Sequence, residues 1–331
     1  MRSFRKILIH ALVVVLFLWG INGIGEFLYE PVRDNILVTS EELKDREGTI
    51  ETLAMGTSLM HCGMDINVLN KELDTVGFNV ATSAQAVSGT YYILKEQLKR
   101  NPIQRVFLGL GVNSFMSDTE NRSTSAKTRV LKLLESPLTE LRYLMDVAEP
   151  SELESLLFRP VRTKNVFSVR LVKNNVKYKL SDDFKNRVGH RSSPYTYFGM
   201  GYESNDKVYD GTPEKPRSNN VWRRGRILEE NITYMKKMGE LCRKNGVELN
   251  LVIFPHCQSY SAQQGDLEDM DVYLEELAEE LGAGLYNYNY TSRPDIYEYL
   301  PDELYMDRKH LNQRGAAVFA RLLAEDYKKA G

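Results

Sequence analysis

The sequence predicts an α/β protein in three layers, a parallel sheet with helices on both faces. Short apolar runs, too short for typical helices, end abruptly at Gly, Asn or Pro, and longer stretches with apolar residues at helical spacing separate them. Strands alternating with helices call for parallel pairing through crossover connections.

In chain order, Thr49 to Met55 reads as a strand broken at Gly56, and Met64 to Leu73 as a helix. Arg105 to Asn113 reads as a buried strand closing on small residues and an amide. After a break in the pattern, Asn231 to Asn245 is an amphipathic helix and Val247 to Pro255 a strand stopped by Pro255, with His256 and Cys257 at its end. Leu267 to Leu281 is a further helix and Gly284 to Asn289 a last strand. The break, about 114–220, is polar and irregular, with helices expected at Val130–Leu134 and Leu138–Val147, a basic stretch from Arg159 to Lys179, and loops at Ser192–Tyr202 and Asp210–Asn220. It reads as an insertion into the fold, serving as a lid or docking surface.

At the other end, Arg2, Arg5 and Lys6 precede an apolar run from Ile7 that persists, with interruptions, to about Leu28. A span of about 20 apolar residues crosses a bilayer, and the basic flank predicts a cytoplasmic N-terminus. The expectation is a transmembrane anchor over residues 1–29 and one extracytoplasmic domain over 30–331. A cleaved signal peptide is the rival, though no small-x-small site closes the run before Gly23. His10 is the discordant polar residue of the run.

The 331 residues carry 43 Lys and Arg against 45 Asp and Glu, a net charge of -2 that argues against nucleic acid as a partner. Cys62, Cys242 and Cys257 are too few and too scattered for a disulfide framework, although one bridge stays open. Asn121, Asn231 and Asn289 begin Asn-x-Ser/Thr triplets, meaningful only in a glycosylating host.

Chemistry gathers at the predicted carboxyl ends of strands. Ser58 falls on a strand-to-helix turn, where parallel sheets bind ligands and helix-start N–H groups favour a developing oxyanion. A serine hydroxyl needs a base, and a histidine becomes an effective one when a carboxylate fixes its tautomer. His310 and Asp307 can be that pair. Asn113 would emerge at the same rim with a side-chain amide donor, and Gly89 could add a backbone donor. His256, also at a strand end, is a candidate substrate-binding residue. A metal centre would require His61, His256 and His310 to converge, and none has the spacing of a zinc motif; neither metal nor cofactor is expected.

These residues resemble the blocks of the SGNH (GDSL-like) hydrolase superfamily: a Gly-x-Ser turn at Gly56-Thr57-Ser58, a Gly at Gly89, a Gly-x-Asn at Gly111-Val112-Asn113, and a C-terminal Asp-x-x-His at Asp307 and His310. Thr57 replaces the usual Asp of Gly-Asp-Ser, and Ser114 follows Asn113 where Asp is common. Leu311 to Leu323 looks like the closing helix of that family. The resemblance implies a flavodoxin-like α/β/α fold with a mostly parallel five-stranded sheet. Within it Ser58 is the nucleophile, His310 the base and Asp307 its orienter, with Ser58 N–H, Gly89 N–H and Asn113 as the oxyanion hole. With the N-terminal anchor, it resembles the branch that acts with membrane-bound O-acyltransferases on cell-surface polymers, including the lipoteichoic acid D-alanylation protein and polysaccharide O-acetylation proteins. That implies an acyl ester as donor and a glycan or polyol as acceptor.

Each part also has an ordinary reading: Ser58 as a helix N-cap, Asp307 and His310 as a helix-start turn. Their joint occurrence in order with Asn113 favours catalysis. Hydrolysis and acyl transfer share the first half-reaction, so the residues leave both open. A non-catalytic scaffold for a membrane O-acyltransferase is the other class, in which Arg159, Arg162, Lys164 and Arg170 could meet anionic polymer or headgroups.

Overall fold

The structure is a computed structural model that describes residues 2–29, 35–117, 123–158, 168–192, 194–212, 215 and 218–330. Its helices are α1 (Arg2–Tyr29), α2 (Asn35–Asp45), α3 (Ser58–Gly63), α4 (Ile66–Leu73), α5 (Val87–Arg100), α6 (Val112–Met116), α7 (Thr124–Leu133), α8 (Pro137–Val147), α9 (Leu153–Leu157), α10 (Val169–Lys179), α11 (Asp182–Asn186), α12 (Glu229–Asn245), α13 (Gln258–Ser261), α14 (Leu267–Leu281), α15 (Ile296–Tyr299) and α16 (Gln313–Ala330). The strands are β1 (Thr52–Gly56), β2 (Gly77–Asn79), β3 (Arg105–Leu110), β4 (Arg191–Ser192), β5 (Tyr195–Gly199), β6 (Tyr202–Ser204), β7 (Glu248–Ile253) and β8 (Gly284–Asn287).

Five strands form one parallel sheet in the order β2-β1-β3-β7-β8. Strand periodicity sends successive side chains to opposite faces. Leu53 and Met55 of β1, Val106, Leu108 and Leu110 of β3, and Leu249, Leu251 and Ile253 of β7 share one core with residues of α5, α12 and α14. Ala54, Phe107 and Val252 point the other way into a second core with α3, α4 and α16. Two cores about one sheet make the three layers. β2 is only three residues long, too short to stand out in a periodicity reading.

The sheet order reverses between β1 and β3. β1 leads outward to β2, and β3 leads the other way to β7 and β8. The crevice beyond the carboxyl ends at such a reversal is where open α/β sheets bind ligands, and Ser58 and Asn113 follow these two strands.

Among its described residues, the 114–220 segment holds a small sheet besides the expected helices. The stretch Ser192–Tyr202, expected as loop, supplies most of a three-stranded antiparallel sheet, β4-β5-β6. Tyr197 and Tyr202 are fully buried. Positive φ angles at Gly199 (+91°), Met200 (+53°) and Gly201 (+78°) make the tight turn between β5 and β6. That turn docks on the edge of the parallel sheet. Asn79 N donates to Met200 O at 2.8 Å, and a Cβ on Gly201 would stand 1.9 Å from Asn79 O. The insertion therefore covers an otherwise open strand edge. Of the basic residues in the expected stretch, Arg159, Arg162 and Lys164 lie outside the described residues, while Arg170 is exposed on α10.

α1 is one continuous helix whose carboxyl end packs on α10. Asn175 Nδ2 donates to Leu28 O (3.0 Å), and Lys179 Nζ to Glu26 O (3.0 Å) and Phe27 O (2.9 Å). They satisfy carbonyls that a helix end leaves without partners. Asn22 Nδ2 reaches Leu157 O at 2.8 Å. Among the described residues no helix is long and apolar enough to cross a membrane. The side chains of Ile7, Leu8, Ala11, Leu12, Val15 and Trp19, on which the spanning expectation partly rests, lie outside the described set.

Cys62, Cys242 and Cys257 are all buried and free, with no bridge between them. Asn231 and Asn289 are buried and donate to Ser114 O (3.0 Å) and Asp271 Oδ1 (3.1 Å), so these two triplets are not open acceptor sites; Asn121 lies outside the described residues.

Candidate active site

Two glycines let the serine turn approach β3. Gly56 ends β1 at φ +136°, and a Cβ there would stand 2.4 Å from Gly109 O. Gly109 in turn faces the Cβ of Met60 on α3, where its own Cβ would meet it at 2.9 Å. The backbone turns sharply over the neighbouring strand, and Ser58 becomes the first residue of α3. Its N–H is among those that helix geometry leaves without an intrahelical partner. Thr57, in extended backbone before the helix, caps nothing with its side chain, and its Oγ1 is buried without a partner among the described residues.

Ser58 Oγ lies 2.8 Å from His310 Nε2, and His310 Nδ1 lies 2.8 Å from Asp307 Oδ2 and 3.0 Å from Oδ1. An ionised carboxylate accepts only, so Nδ1 carries the proton and Nε2 presents its lone pair to the Ser58 hydroxyl. Burial works against the Asp307 charge. The hydrogen bond and charge of His310 and the backbone N–H groups of Lys309 and His310 outweigh it, and hold Asp307 well below the usual carboxylate range.

The loop carrying the pair is closely tied. Met306 N donates to His310 O at 2.8 Å, and Tyr305 and Leu311 form an antiparallel bridge. Asn312, fully buried, donates to Glu303 O (2.9 Å) and Lys207 O (3.2 Å) and accepts from Gly315 N (3.1 Å) in the first turn of α16. No motif marks Asn312 as structural. Its position two residues after His310 is the only sequence signal.

Asn113 lies in the first turn of α6, just after β3, and lines the same small cavity as Ser58 and His310. Its Oδ1 faces Gly111, where a Cβ would approach it to 3.2 Å. Gly89 does not line that cavity. It sits in the first turn of α5, where its Cβ would meet Val130 Cγ2 of α7 at 2.7 Å. The need for a glycine there is helix packing, while Ser58 and Asn113 both line the cavity.

His256 does reach the cavity. Its Nδ1 lies 3.2 Å from Lys309 O, and its ring stands edge-on to Tyr260, with centroids 5.4 Å apart. Burial drives its pKa down to about 3. The neutral ring donates from Nδ1 to the carbonyl, which leaves Nε2 as an acceptor. His256 thus props the His310 loop while lining the cavity. His61 is engaged elsewhere, its Nε2 2.5 Å from Glu203 Oε1.

Two lining residues had no sequence signal, Asn220 and Gln264. They meet because Trp222 and Gly265 form a parallel bridge, Trp222 N donating to Gln264 O at 2.6 Å. A Cβ on Gly265 (φ +89°) would stand 2.7 Å from Trp222 O. Trp222 is itself fixed, donating from Nε1 to Asp269 Oδ2 (2.7 Å) and stacking edge-on against Phe115, two residues past Asn113. The cavity encloses about 60 Å³, room for a few atoms beside Ser58.

No family model matches the chain, and no curated protein matches it. Among solved structures the chain is similar to the protein YxiM of Bacillus subtilis, at 15% identity and a TM-score of 0.39, over 86% of this chain. The chain spans 57% of the length of that protein.

Proposed function

We propose that the protein is a serine acyl-esterase or acyltransferase of the SGNH type, working through an acyl-Ser58 intermediate. The observation that carries this reading is the continuous path from Ser58 Oγ through His310 to Asp307, with both links at 2.8 Å. Nucleophile, base and orienter stand in the geometry that activates a serine hydroxyl.

In the reaction, His310 Nε2 takes the Ser58 proton as Oγ attacks the ester carbonyl. The oxyanion forms against Ser58 N–H and Asn113. When it collapses, the C–O bond to the leaving alcohol breaks, His310 returns the proton to that alcohol, and acyl-Ser58 remains. A second hydroxyl, from water or from an acceptor alcohol, then gives its proton to His310 and attacks the acyl carbon. Ser58 Oγ leaves and recovers the proton.

The setting we propose is a cell envelope, with α1 as the anchor and the α/β domain outside. Supporting it are the 28-residue length of α1, about 42 Å at 1.5 Å per residue, the basic Arg2, Arg5 and Lys6 at its amino end, and the exposed apolar side chains of Ile9, Val13, Val14, Leu16, Phe17 and Ile24. The acceptor in this setting is a glycan or polyol of the surface, with a membrane-bound O-acyltransferase as the partner that supplies acyl groups.

The test is intact-mass analysis of the detergent-solubilised chain treated with an activated acetyl ester, beside Ser58→Ala. An adduct on Ser58 absent from the variant supports the reading; an adduct that water clears points to an esterase, and one that persists until glycerol is added points to a transferase. Absence of any Ser58-dependent adduct or turnover across several esters sinks it and leaves the scaffold role.

A further inference from the structure

Away from Ser58, a cavity of about 1030 Å³ opens where the carboxyl end of α1 meets α2, α7, α8 and α9, and it shares no lining residue with the Ser58 cavity. Its floor is hydrocarbon, formed by the buried side chains of Leu37, Leu131, Leu134, Leu144 and Leu156. Its mouth is apolar as well. Leu141 and Leu157 line it while 49% and 48% exposed, and Leu138 and Met145, at i−3 and i+4 from Leu141 on α8, carry the same exposed stripe outward. The α1 wall is bare: Gly20, Gly23 and Phe27 share one helix face, and a Cβ on either glycine would meet nothing within 4 Å. Glycine weakens a helix interior, and here no protein atom requires it. The space beside α1 is left for something else.

From this we infer that the cavity binds one alkyl chain of a membrane lipid, which enters from the bilayer beside α1 and leaves its headgroup at the rim. The lining selects the class. Leucine side chains on the floor can pair with no polar group, so a sugar, nucleotide or extended peptide seated there would strand its donors and acceptors, whereas an alkyl chain has none. The volume matches the top of the ~300–1,000 Å³ range of small-molecule sites. At the rim the charges are balanced and engaged with the protein. Lys44 pairs with Glu41 and Glu135 with Arg100, each at 2.7 Å, and Lys179 Nζ donates to the carbonyls of Glu26 and Phe27. Lining carboxylates from Glu26, Glu41, Glu135 and Glu140 face the ammonium groups of Lys44, Lys132 and Lys179, which suits a neutral or zwitterionic headgroup better than an anionic one.

The source of the chain rests on the reading of α1 as the anchor, since the mouth lies against the helix that carries exposed Phe17 and Ile24. The chemistry at Ser58 is not involved. The two cavities have no residue in common, so the seated chain is neither acyl donor nor acceptor, and no bond is made or broken. Its effect is mechanical: one apolar filling joins α1 to α8 and α9 and holds the insertion against the bilayer.

Photolabelling tests it. The full-length protein is placed in nanodiscs of phosphatidylcholine bearing a diazirine at one chain end, irradiated, and its labelled peptides are mapped by mass spectrometry. Label is expected on α1 and on the peptides holding Leu131, Leu134 and Leu144, buried side chains that the bilayer reaches only through a seated chain. Gly23→Leu, which grows from a position with open space around its Cβ, should cut the floor label tenfold or more and leave the label elsewhere on α1. Leu141→Glu, which sets a charge on the exposed rim, should do the same and stands as the second variant; circular dichroism and melting check the fold of both. Label on α1 with none on the floor overturns the site and leaves the anchor reading intact. Equal floor label in the native protein and both variants overturns it too. If α1 takes no label the anchor reading fails, and irradiation with a diazirine-bearing monoacylglycerol in a fluorinated surfactant decides the site alone. Floor label that both variants reduce then keeps the alkyl-chain site with a free amphiphile as its source, and its absence overturns it.

Discussion

Asp307 engages His310 twice. Its Oδ2 stands 2.8 Å from the ring Nδ1, while its Oδ1 accepts the backbone N–H of His310 at 2.9 Å and that of Lys309 at 2.7 Å. One carboxylate therefore fixes both the ring and the turn that presents it. The charge is what allows this, because each oxygen must accept and neither can donate.

Asp307→Asn separates these roles. The amide oxygen would stay on the backbone N–H groups, which turns the NH₂ toward Nδ1 and forces the ring proton onto Nε2, the wrong tautomer for accepting from Ser58. Acylation of Ser58 is expected to slow by about 10³-fold or more. The variant keeps the backbone hydrogen bonds but gives up a charge that the folded protein stabilises, so, with the Asp307 side chain 46% exposed, a modest fall in melting temperature is expected. Single-turnover intact-mass kinetics beside a thermal melt checks both, and a variant that acylates at the native rate would show that the tautomer argument is wrong.

His256 gives a pH dependence of stability. Its folded pKa of about 3 lies below the ordinary value of about 6.5, so between those values the unfolded chain binds a proton that the folded protein refuses. Stability from this group is full above pH 6.5 and is lost as pH falls toward 3. Between pH 6.5 and 5 the loss should approach about 1.5–2 kcal/mol, from the ~1.4 kcal/mol that each pH unit carries per proton. His256→Asn, which can still donate to Lys309 O, should flatten that part of the profile in urea titrations. Parallel profiles for the two proteins would count against a buried neutral His256.

The buried His61–Glu203 contact joins α3 to the insertion. Burial opposes the Glu203 charge, but the charge and hydrogen bond of His61, with a further bond from Asn35 Nδ2, hold its pKa below the usual range. His61→Leu strands a buried carboxylate and should cost about 3–5 kcal/mol near neutral pH. The sign follows from the lowered pKa: the contribution is present above the ordinary carboxylate value of about 4.3 and fades as acid protonates Glu203. Chemical denaturation at pH 7 and pH 4 distinguishes this from a packing defect, which would cost the same at both.

What could be read from sequence follows from range. Strands β1, β3, β7 and β8 were legible because their buried faces leave runs of apolar residues that end in Gly, Asn or Pro. Ser58, Asn113, Asp307 and His310 were legible because each sits at the end of such a strand or at the start of the closing helix. Gly89 was ambiguous because a glycine required by packing on Val130 looks the same in sequence as one required by a ligand. The β4-β5-β6 sheet was taken for loop because it is short and rich in Ser, Tyr and Gly; its order comes from docking on Asn79 and Glu42, contacts more than a hundred residues distant. Asn220 and Gln264 carry no local pattern and come together only through the Trp222–Gly265 bridge.

Gly56 tests how tightly the serine turn depends on its backbone. At φ +136° an L side chain is strained, and the added Cβ of Gly56→Ala would fall 2.4 Å from Gly109 O, a backbone atom of the adjacent strand that cannot swing aside. Relief requires β1 and β3 to part at their carboxyl ends, where they carry Ser58 and Asn113. The variant should therefore lose several kcal/mol of stability, and the folded fraction should acylate more slowly because the 2.8 Å contact between Ser58 and His310 opens. Gly48→Ala is the control, since Gly48 also has a positive φ (+79°) but open space around its Cβ, and should show only the smaller cost of backbone strain. Equal losses of stability in the two variants, with acylation of the folded fraction intact in both, would mean that the contact with Gly109 does not hold the turn in place.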